Sequence, residues 1–422
     1  MEIKGKNGLA KVFTDNIDQG AVEQIEKMLD NAITEQTQVR IMPDVHYGKG
    51  ATIGTTIRLP ENRKDWKICP NVVGVDIGCS MRTVNIGVQS QLDLSVFDEA
   101  VHRLVPAGHR VHQKPLLPQE EINQLLDGLT FSLSAQQRER ISCSLGTLGG
   151  GNHFYELGCD DEGDYWITVH SGSRYLGVLV ANHHQQIAGA EKERYRTRQF
   201  DFLVDTLKRT NRQSEIQSVK LAWKEEKITS EIQEILSEFP EVFVPASPGL
   251  EYLTGDLLED YLNDVHIAQV FSSLNRKLML DALVKEFDFQ VKDGFESMHN
   301  YVDIEAGIVR KGATSAQKNE RLIIPINMKD GSIFAKGKGN PDWNFSAPHG
   351  AGRLLSRTQA RQQVQLADFK ESMQGIYSTS IGEATLDEAP SVYKPLDEIV
   401  ENIKDTVTIE TIVKPVYNFK AH

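Results

Sequence analysis

The chain of 422 residues has little cysteine and a deficit of positive charge. Its four cysteines (Cys69, Cys79, Cys143, Cys159) form no CxxC pair. That excludes a zinc ribbon, a thioredoxin-type motif and a disulfide framework. No uninterrupted apolar run reaches about 18 residues, the length a membrane helix requires. The N-terminal MEIKGKNGLAKVF lacks an apolar h-region, so a cytoplasmic protein with reduced thiols and no membrane partner is expected. Lys and Arg number 46 against 59 Asp and Glu, a net charge of −13. The acidic balance argues against a sequence-neutral nucleic-acid coat but allows a local basic groove. P-loop, GxSxG and HExxH motifs are missing as well.

What is present is a globular composition, 40% hydrophobic and 25% charged, long enough for a large core. Charge is uneven. Residues 228–264 hold nine acidic residues and no basic one, whereas 307–361 hold ten basic and three acidic. The second stretch also carries GKGN and HGAGR, which makes it a candidate lining for an anion site. Residues 17–34 have helical apolar spacing. QVRIMPDV, ATIGTTIRL, NVVGVDIG and RTVNIGV read as short strands separated by Gly and Pro. Helices are expected over 95–142, 176–236 and 254–288, with strands at YWITVH, YVDIEAGIV, ERLIIPINM and TVTIETIVKPVYNF. With no repeat and no linker, the pattern predicts one intertwined α+β domain over 1–422, its mixed sheets flanked by helices, with a helical insertion around 176–290.

Five segments join glycine to ligand-type side chains: PDVHYGKG (43–50), VGVDIGCSM (73–81), LGGGNHFYE (148–156), VHSGSR (169–174) and APHGAGR (347–353), with SMHNYVD (297–303) a sixth. Asp76 and Cys79 are three apart on a predicted turn, and a thiolate with a carboxylate suits zinc, manganese or iron. His153 and His170 sit at the edges of two predicted strands, and His299 precedes a third. A lone histidine is ordinarily structural, but this set of five is enough for two metal ions, an arrangement suited to in-line phosphoryl or nucleotidyl transfer. His349 follows a proline and is expected to open a helix over GAGRLLSRTQARQQ, whose N-terminus would bind phosphate. There its imidazole could attack phosphorus, with Arg353 adding a bidentate contact and His46 within reach of a phosphate. The remaining histidines read as structural.

Taken in order, VGVDIGCSMRTV, LGGGNHFYE, VHSGSR, MHN and APHGAGR resemble the RtcB-type RNA ligases, and the likeness runs from about residue 43 to 420. The resemblance implies the RtcB-like α+β fold around a central metal and nucleotide cleft. It also implies a GTP- and manganese-dependent ligase that joins an RNA 3′-phosphate or 2′,3′-cyclic phosphate to a 5′-hydroxyl. By motif, Asp76, Cys79, His153, His170 and His299 match the ligands of two Mn2+ ions, with Cys79 shared, and His349 matches the histidine that becomes guanylylated. Asn152, Glu156, Gly350, Ala351, Gly352, Tyr393, Lys420 and Asp44 match positions at the nucleotide, Glu156 and Lys420 against guanine. Two departures stand out. PINMKDG puts Asn327 where a nucleotide-contacting serine is usual, and PDVHYGKGATIG has Lys49 and Ala51 in place of the usual glycine-aromatic ending. Implied partners are RNAs with broken ends, such as tRNA or rRNA, and an archease-like activator. Two rival readings are a dinuclear-metal RNA end-processing phosphoesterase and a non-catalytic, GTP-responsive RNA-binding factor.

Overall fold

A computed structural model describes residues 1–239 and 248–421; part of the acidic stretch 228–264 and the terminal His422 lie outside the described residues. The chain forms two large sheets joined by a short two-stranded one. Interleaving is what makes them inseparable. In the six-stranded sheet, Gln38–His46 and Ile53–Arg58 from the first motif pair onward to Ile308–Lys311 and Asn300–Asp303 from far along the chain. In the seven-stranded sheet, Val407–Lys420 lies between Gly331–Gly337 and Phe154–Cys159. The order then continues through Tyr165–Ser171 and Ser80–Gly87 to Asp293–Met298. Ala313–Ser315 and Ser346–Pro348 make the two-stranded sheet. This is the intertwined α+β architecture that the alternating strand and helix signals predict.

The long helices Arg174–Arg209 and Gly255–Glu286 pack on each other, and the second also covers the strands Tyr165–Ser171 and Ser80–Gly87. Its buried face is continuous from Leu258 to Leu283 but is not wholly apolar: Asp264, Ser272, Asn275 and Arg276 are buried with it. No helix among the described residues is long and apolar enough to cross a membrane.

Two local expectations are corrected. NVVG is not a strand: Pro70–Val73 is a single helical turn, opened by the proline at its first position and closed by Gly74 at φ +95. Nor does His349 open a helix. It follows the strand Ser346–Pro348, and the next helix, Arg357–Gln363, begins only after the capping box of Ser356 with Gln359. Gly352, at φ +78, breaks the helical path between them.

Phe97 ties this scaffold to the site. It is fully buried, edge-on to Tyr417 at 5.1 Å, on the strand that presents Asn418 and Lys420. Phe97→Ala is expected to cost about 3–5 kcal/mol, read as a lowered urea midpoint; an unchanged midpoint would contradict this packing.

Candidate metal centre and nucleotide cleft

Strand register assembles the donors. Phe154 pairs with His170 across Phe154–Cys159 and Tyr165–Ser171, so His153 and His170 meet at one sheet end, ring centroids 5.2 Å apart. Met81 pairs with His170 on the other side, which brings Cys79 alongside. Beyond it Ser80 pairs with Met298, and the His299 backbone N–H donates to the Cys79 carbonyl at 3.0 Å. Cys79 Sγ lies 3.2 Å from His170 Nε2 and 3.5 Å from His153 Nε2. His153 Nε2 is 3.0 Å from Asp76 Oδ2, and His170 Nε2 is 3.1 Å from His299 Nε2. Two groups that could hold a metal ion result, Asp76–Cys79–His153 and Cys79–His170–His299, with Cys79 common to both.

The chemistry of these atoms fits cations. His153 Nδ1–H donates to the Leu148 carbonyl at 2.8 Å, which leaves Nε2 facing Asp76 and Cys79. Burial above all, and then neighbouring histidines, keep His170 and His299 well below the ordinary imidazole range, hence neutral. Their Nδ1 atoms have no partner among the described residues while their Nε2 atoms face one another. Burial raises the Cys79 thiol, as does Asp76. Burial also works against the Asp76 carboxylate, but His153 beside it draws its pKa well down. Lone pairs converging at these distances repel unless a proton or a metal ion sits among them.

Side chains that the sequence reading passed over hold this centre from behind. From the helix Gly255–Glu286, Ser272 Oγ donates to the Gly78 carbonyl at 2.7 Å. Arg276, fully buried, donates through Nη1 to the carbonyls of Gly78 (3.0 Å) and Ser171 (2.6 Å), and its Nε meets Glu296 at 2.9 Å. Asn275 Nδ2 reaches the carbonyls of Thr147 and Gly172 at 3.1 and 3.2 Å. Each of these carbonyls belongs to a loop or strand end that carries a donor. The signal was available: polar side chains at 272, 275 and 276 interrupt the buried stripe of an otherwise amphipathic helix. At Gly172 a Cβ would stand 1.8 Å from Asp76 Oδ1, so only glycine fits there.

A cavity of about 750 Å³ opens beside the donors. It is lined by Asp76, Cys79, His170 and His299, and by Asn152, Glu156, Asn327, His349, Gly350, Ala351, Gly352, Tyr393 and Lys420. His153 sits just behind the lining. Asp44, expected at the nucleotide, is also not at the cavity wall: it is fully buried behind His349, accepting from the ring Nδ1 at 2.7 Å and the backbone N–H at 3.2 Å. The His349 ring stands 4.8 Å from that of His299.

A second hydrogen-bonded set lines the same cavity. Burial pushes Glu156 up to about 7, although Asn418 donates to it at 2.9 Å and Lys420 is near. Lys420 pairs with buried Glu388, which also accepts from the Tyr393 hydroxyl at 2.7 Å. Burial alone would raise Glu388, but Lys420 and Arg357 bring it down to about 2. Asn327 folds back on its own turn, accepting from the backbone N–H groups of Lys329 and Asp330 and donating to the Asp330 carboxylate at 2.7 Å.

Much of the basic stretch is engaged within the fold. Arg353 is committed to the carbonyls of Leu355 and Asp387 and to the Tyr393 hydroxyl. Arg357 and Arg361 pair with Asp387, Arg310 with Asp303, Arg321 with Asp293 and Lys336 with Glu410. The local excess is therefore partly neutralised within the fold, while Arg353 and Arg357 still line the cavity.

Fold and site together define an α+β protein with a candidate dinuclear metal centre on the wall of a nucleotide-sized cleft. A family model described as "RtcB: tRNA-splicing ligase RtcB" matches residues 27–130 and 130–421, and the chain belongs to that family. Similar proteins include the RNA-splicing ligase RtcB1 of one Escherichia coli strain, 29% identical over 88% of this chain and 87% of that protein. The RNA-splicing ligase RtcB of E. coli K12 is 28% identical over the same shares. The tRNA-splicing ligase RtcB of Aeropyrum pernix is 24% identical over 86% of this chain and 83% of its own.

Gly172→Ala is expected to displace the Asp76 carboxylate and lower the divalent metal retained after desalting, with the circular dichroism spectrum unchanged. Full metal retention in the folded variant would contradict the donor geometry.

Proposed function

We propose that the chain is a GTP- and Mn2+-dependent RNA ligase, acting in the cytoplasm, that seals 3′-phosphate or 2′,3′-cyclic phosphate ends to 5′-hydroxyl ends. The observation that carries this reading is the placement of His349. Because a carboxylate only accepts, Asp44 must receive the Nδ1 proton, and the Nε2 lone pair is left as nucleophile. The ring lies in the cavity wall beside His299, within the same lining as Glu156 and Lys420.

The reaction then runs in nucleotidyl steps. Water first opens a 2′,3′-cyclic end to the 3′-phosphate, leaving the proton on the 2′-oxygen. His349 Nε2 attacks the α-phosphorus of GTP; the N–P bond forms, the bond to the β-phosphate oxygen breaks, and pyrophosphate leaves. An oxygen of the RNA 3′-phosphate then displaces the imidazole, which gives an RNA–GMP anhydride. The 5′-hydroxyl oxygen attacks the RNA-side phosphorus, giving up its proton, and GMP departs. Asp76, Cys79, His153, His170 and His299 would hold two Mn2+ ions, which supply charge neutralisation at phosphorus. Asp44 keeps the ring in one tautomer throughout. Gly350, Ala351 and Gly352 let the nucleotide lie against the main chain, and Asn152 borders it. Glu156 is assigned to guanine, with Tyr393, Asn327 and Lys420 around the base.

The expected result with α-labelled GTP and Mn2+ is a protein-bound label that His349→Ala abolishes and Asp44→Asn forms roughly 10–100-fold more slowly. Label persisting in the alanine variant would overturn the assignment. A phosphoesterase would instead release phosphate from a 3′-phosphate/5′-hydroxyl RNA pair without joining it, and a non-catalytic factor would leave both ends intact.

The Glu156 pKa makes a second prediction. Guanine N–H groups pair best with a carboxylate, since the protonated acid keeps only one carbonyl acceptor and adds an O–H, and burial has raised this carboxyl to about 7. GTP affinity should therefore be highest above that pH and weaken as pH falls through it. Glu156→Gln should flatten the profile; a wild-type profile flat between pH 6 and 8 would contradict the guanine assignment.

A further inference from the structure

The loop at 47–51, between the strands Gln38–His46 and Ile53–Arg58, is held at the backbone and left open at the side chains. Gln24 Nε2 donates to the Gly48 carbonyl at 2.5 Å, and the Gly48 N–H donates back to Gln24 Oε1 at 3.1 Å. The buried ammonium of Lys311 donates to the Lys49 carbonyl at 2.7 Å and to that of Asn71 at 3.0 Å. Gly50, at φ +85, presses on Asn71, where a Cβ would meet the carbonyl oxygen at 2.3 Å. Against this rigid frame, Tyr47 is 66% exposed although it lines the cavity. Among the described residues no hydrogen bond or ring contact engages it. Lys49, two residues on, is exposed and likewise without an ion pair among the described residues, in a chain of net charge −13. Leu354, 48% exposed, lines the same cavity.

The position of the ring narrows its ligand. His46, the preceding residue, lines the cavity, and its Nδ1–H donates to the Asp44 carbonyl at 2.9 Å. Asp44 in turn holds His349. Tyr47 thus follows directly on a residue tied to the Asp44–His349 set, whereas Glu156 and Asn418, and Lys420, Glu388 and Tyr393, form separate hydrogen-bonded sets. A solvent-facing aromatic ring on a loop fixed at its backbone, with a cation two residues on, is what an unpaired nucleotide uses: the base stacks and the phosphate meets the charge. Fixing the loop beforehand lowers the ordering cost of binding.

We propose that Tyr47 is the stacking platform for a base near the end of the RNA strand that reaches His349, with Lys49 on the backbone phosphate. This rests on the ligase reading above, and it assigns to the altered part of the first motif a role in gripping single-stranded RNA.

Tyr47→Ala, Tyr47→Phe and Lys49→Ala in the full chain test it, none of these residues being part of the guanylylation machinery. The RNA concentration for half-maximal sealing should rise about tenfold to a hundredfold in Tyr47→Ala and stay at the wild-type value in Tyr47→Phe. The extent and GTP dependence of the protein–GMP adduct should not change in any of the three. Lys49→Ala should weaken binding of a labelled single-stranded RNA, read by fluorescence anisotropy, and reduce its salt slope by about one. Unchanged RNA dependence in Tyr47→Ala would overturn the proposal, as would a shift in its GTP dependence, which would place guanine on the ring instead. Should the wild type form no adduct, the ligase reading fails, and the anisotropy comparison of Tyr47→Ala with Tyr47→Phe still decides whether the ring binds RNA.

Discussion

One buried sulfur atom governs the site. Cys79 Sγ is within reach of both His153 and His170, and through them of Asp76 and His299, so two donor groups close on a single atom. Three histidines, a carboxylate and a sulfur are not brought together this way for packing's sake, because each leaves water and the converging atoms have only one another as partners. The cost is offset when positive charge enters, and a shared sulfur fixes any two such charges close together. Two cations held side by side suit a reaction that moves negative charge between phosphorus centres.

Such a cluster is only as definite as its backbone. Arg276 is buried without exposure and spends its donors on two carbonyls, each one residue from a donor, while Glu296 balances its charge. Asn275 and Ser272 do similar work one turn of helix away or less. Removing Arg276 would leave Glu296 and two carbonyls unpaired in the interior, the kind of loss that costs far more than a single hydrogen bond gains. The same logic holds His349, the proposed nucleophile, where Asp44 is set behind the ring and accepts from Nδ1.

Much of this was legible in the residues. Spacing and glycine content marked the segments that carry Asp76, Cys79, His153, His170, His299 and His349, because close approach and unusual φ leave glycine as their trace. Strand alternation gave most of the sheet elements, and helix spacing gave the two long helices. Three features were not read from the sequence, the last two because they are not local. NVVG looked like a strand by its β-branched residues, but Pro70 and Gly74 bound a turn too short to be anything else. Arg353, Arg357 and Arg361 looked like free charge because their partners, Asp387 and Glu388, lie about thirty residues on. That Asp44 lies at depth behind His349 depends on sheet pairing, which no single motif encodes.

The central claim is that Cys79 is common to two ions. Electron paramagnetic resonance of the full-length protein loaded with two equivalents of Mn2+ tests it directly. The account predicts a spin-coupled pair whose coupling disappears in Cys79→Ala. Six-line signals of independent ions in the wild type, unaltered by that substitution, would contradict it.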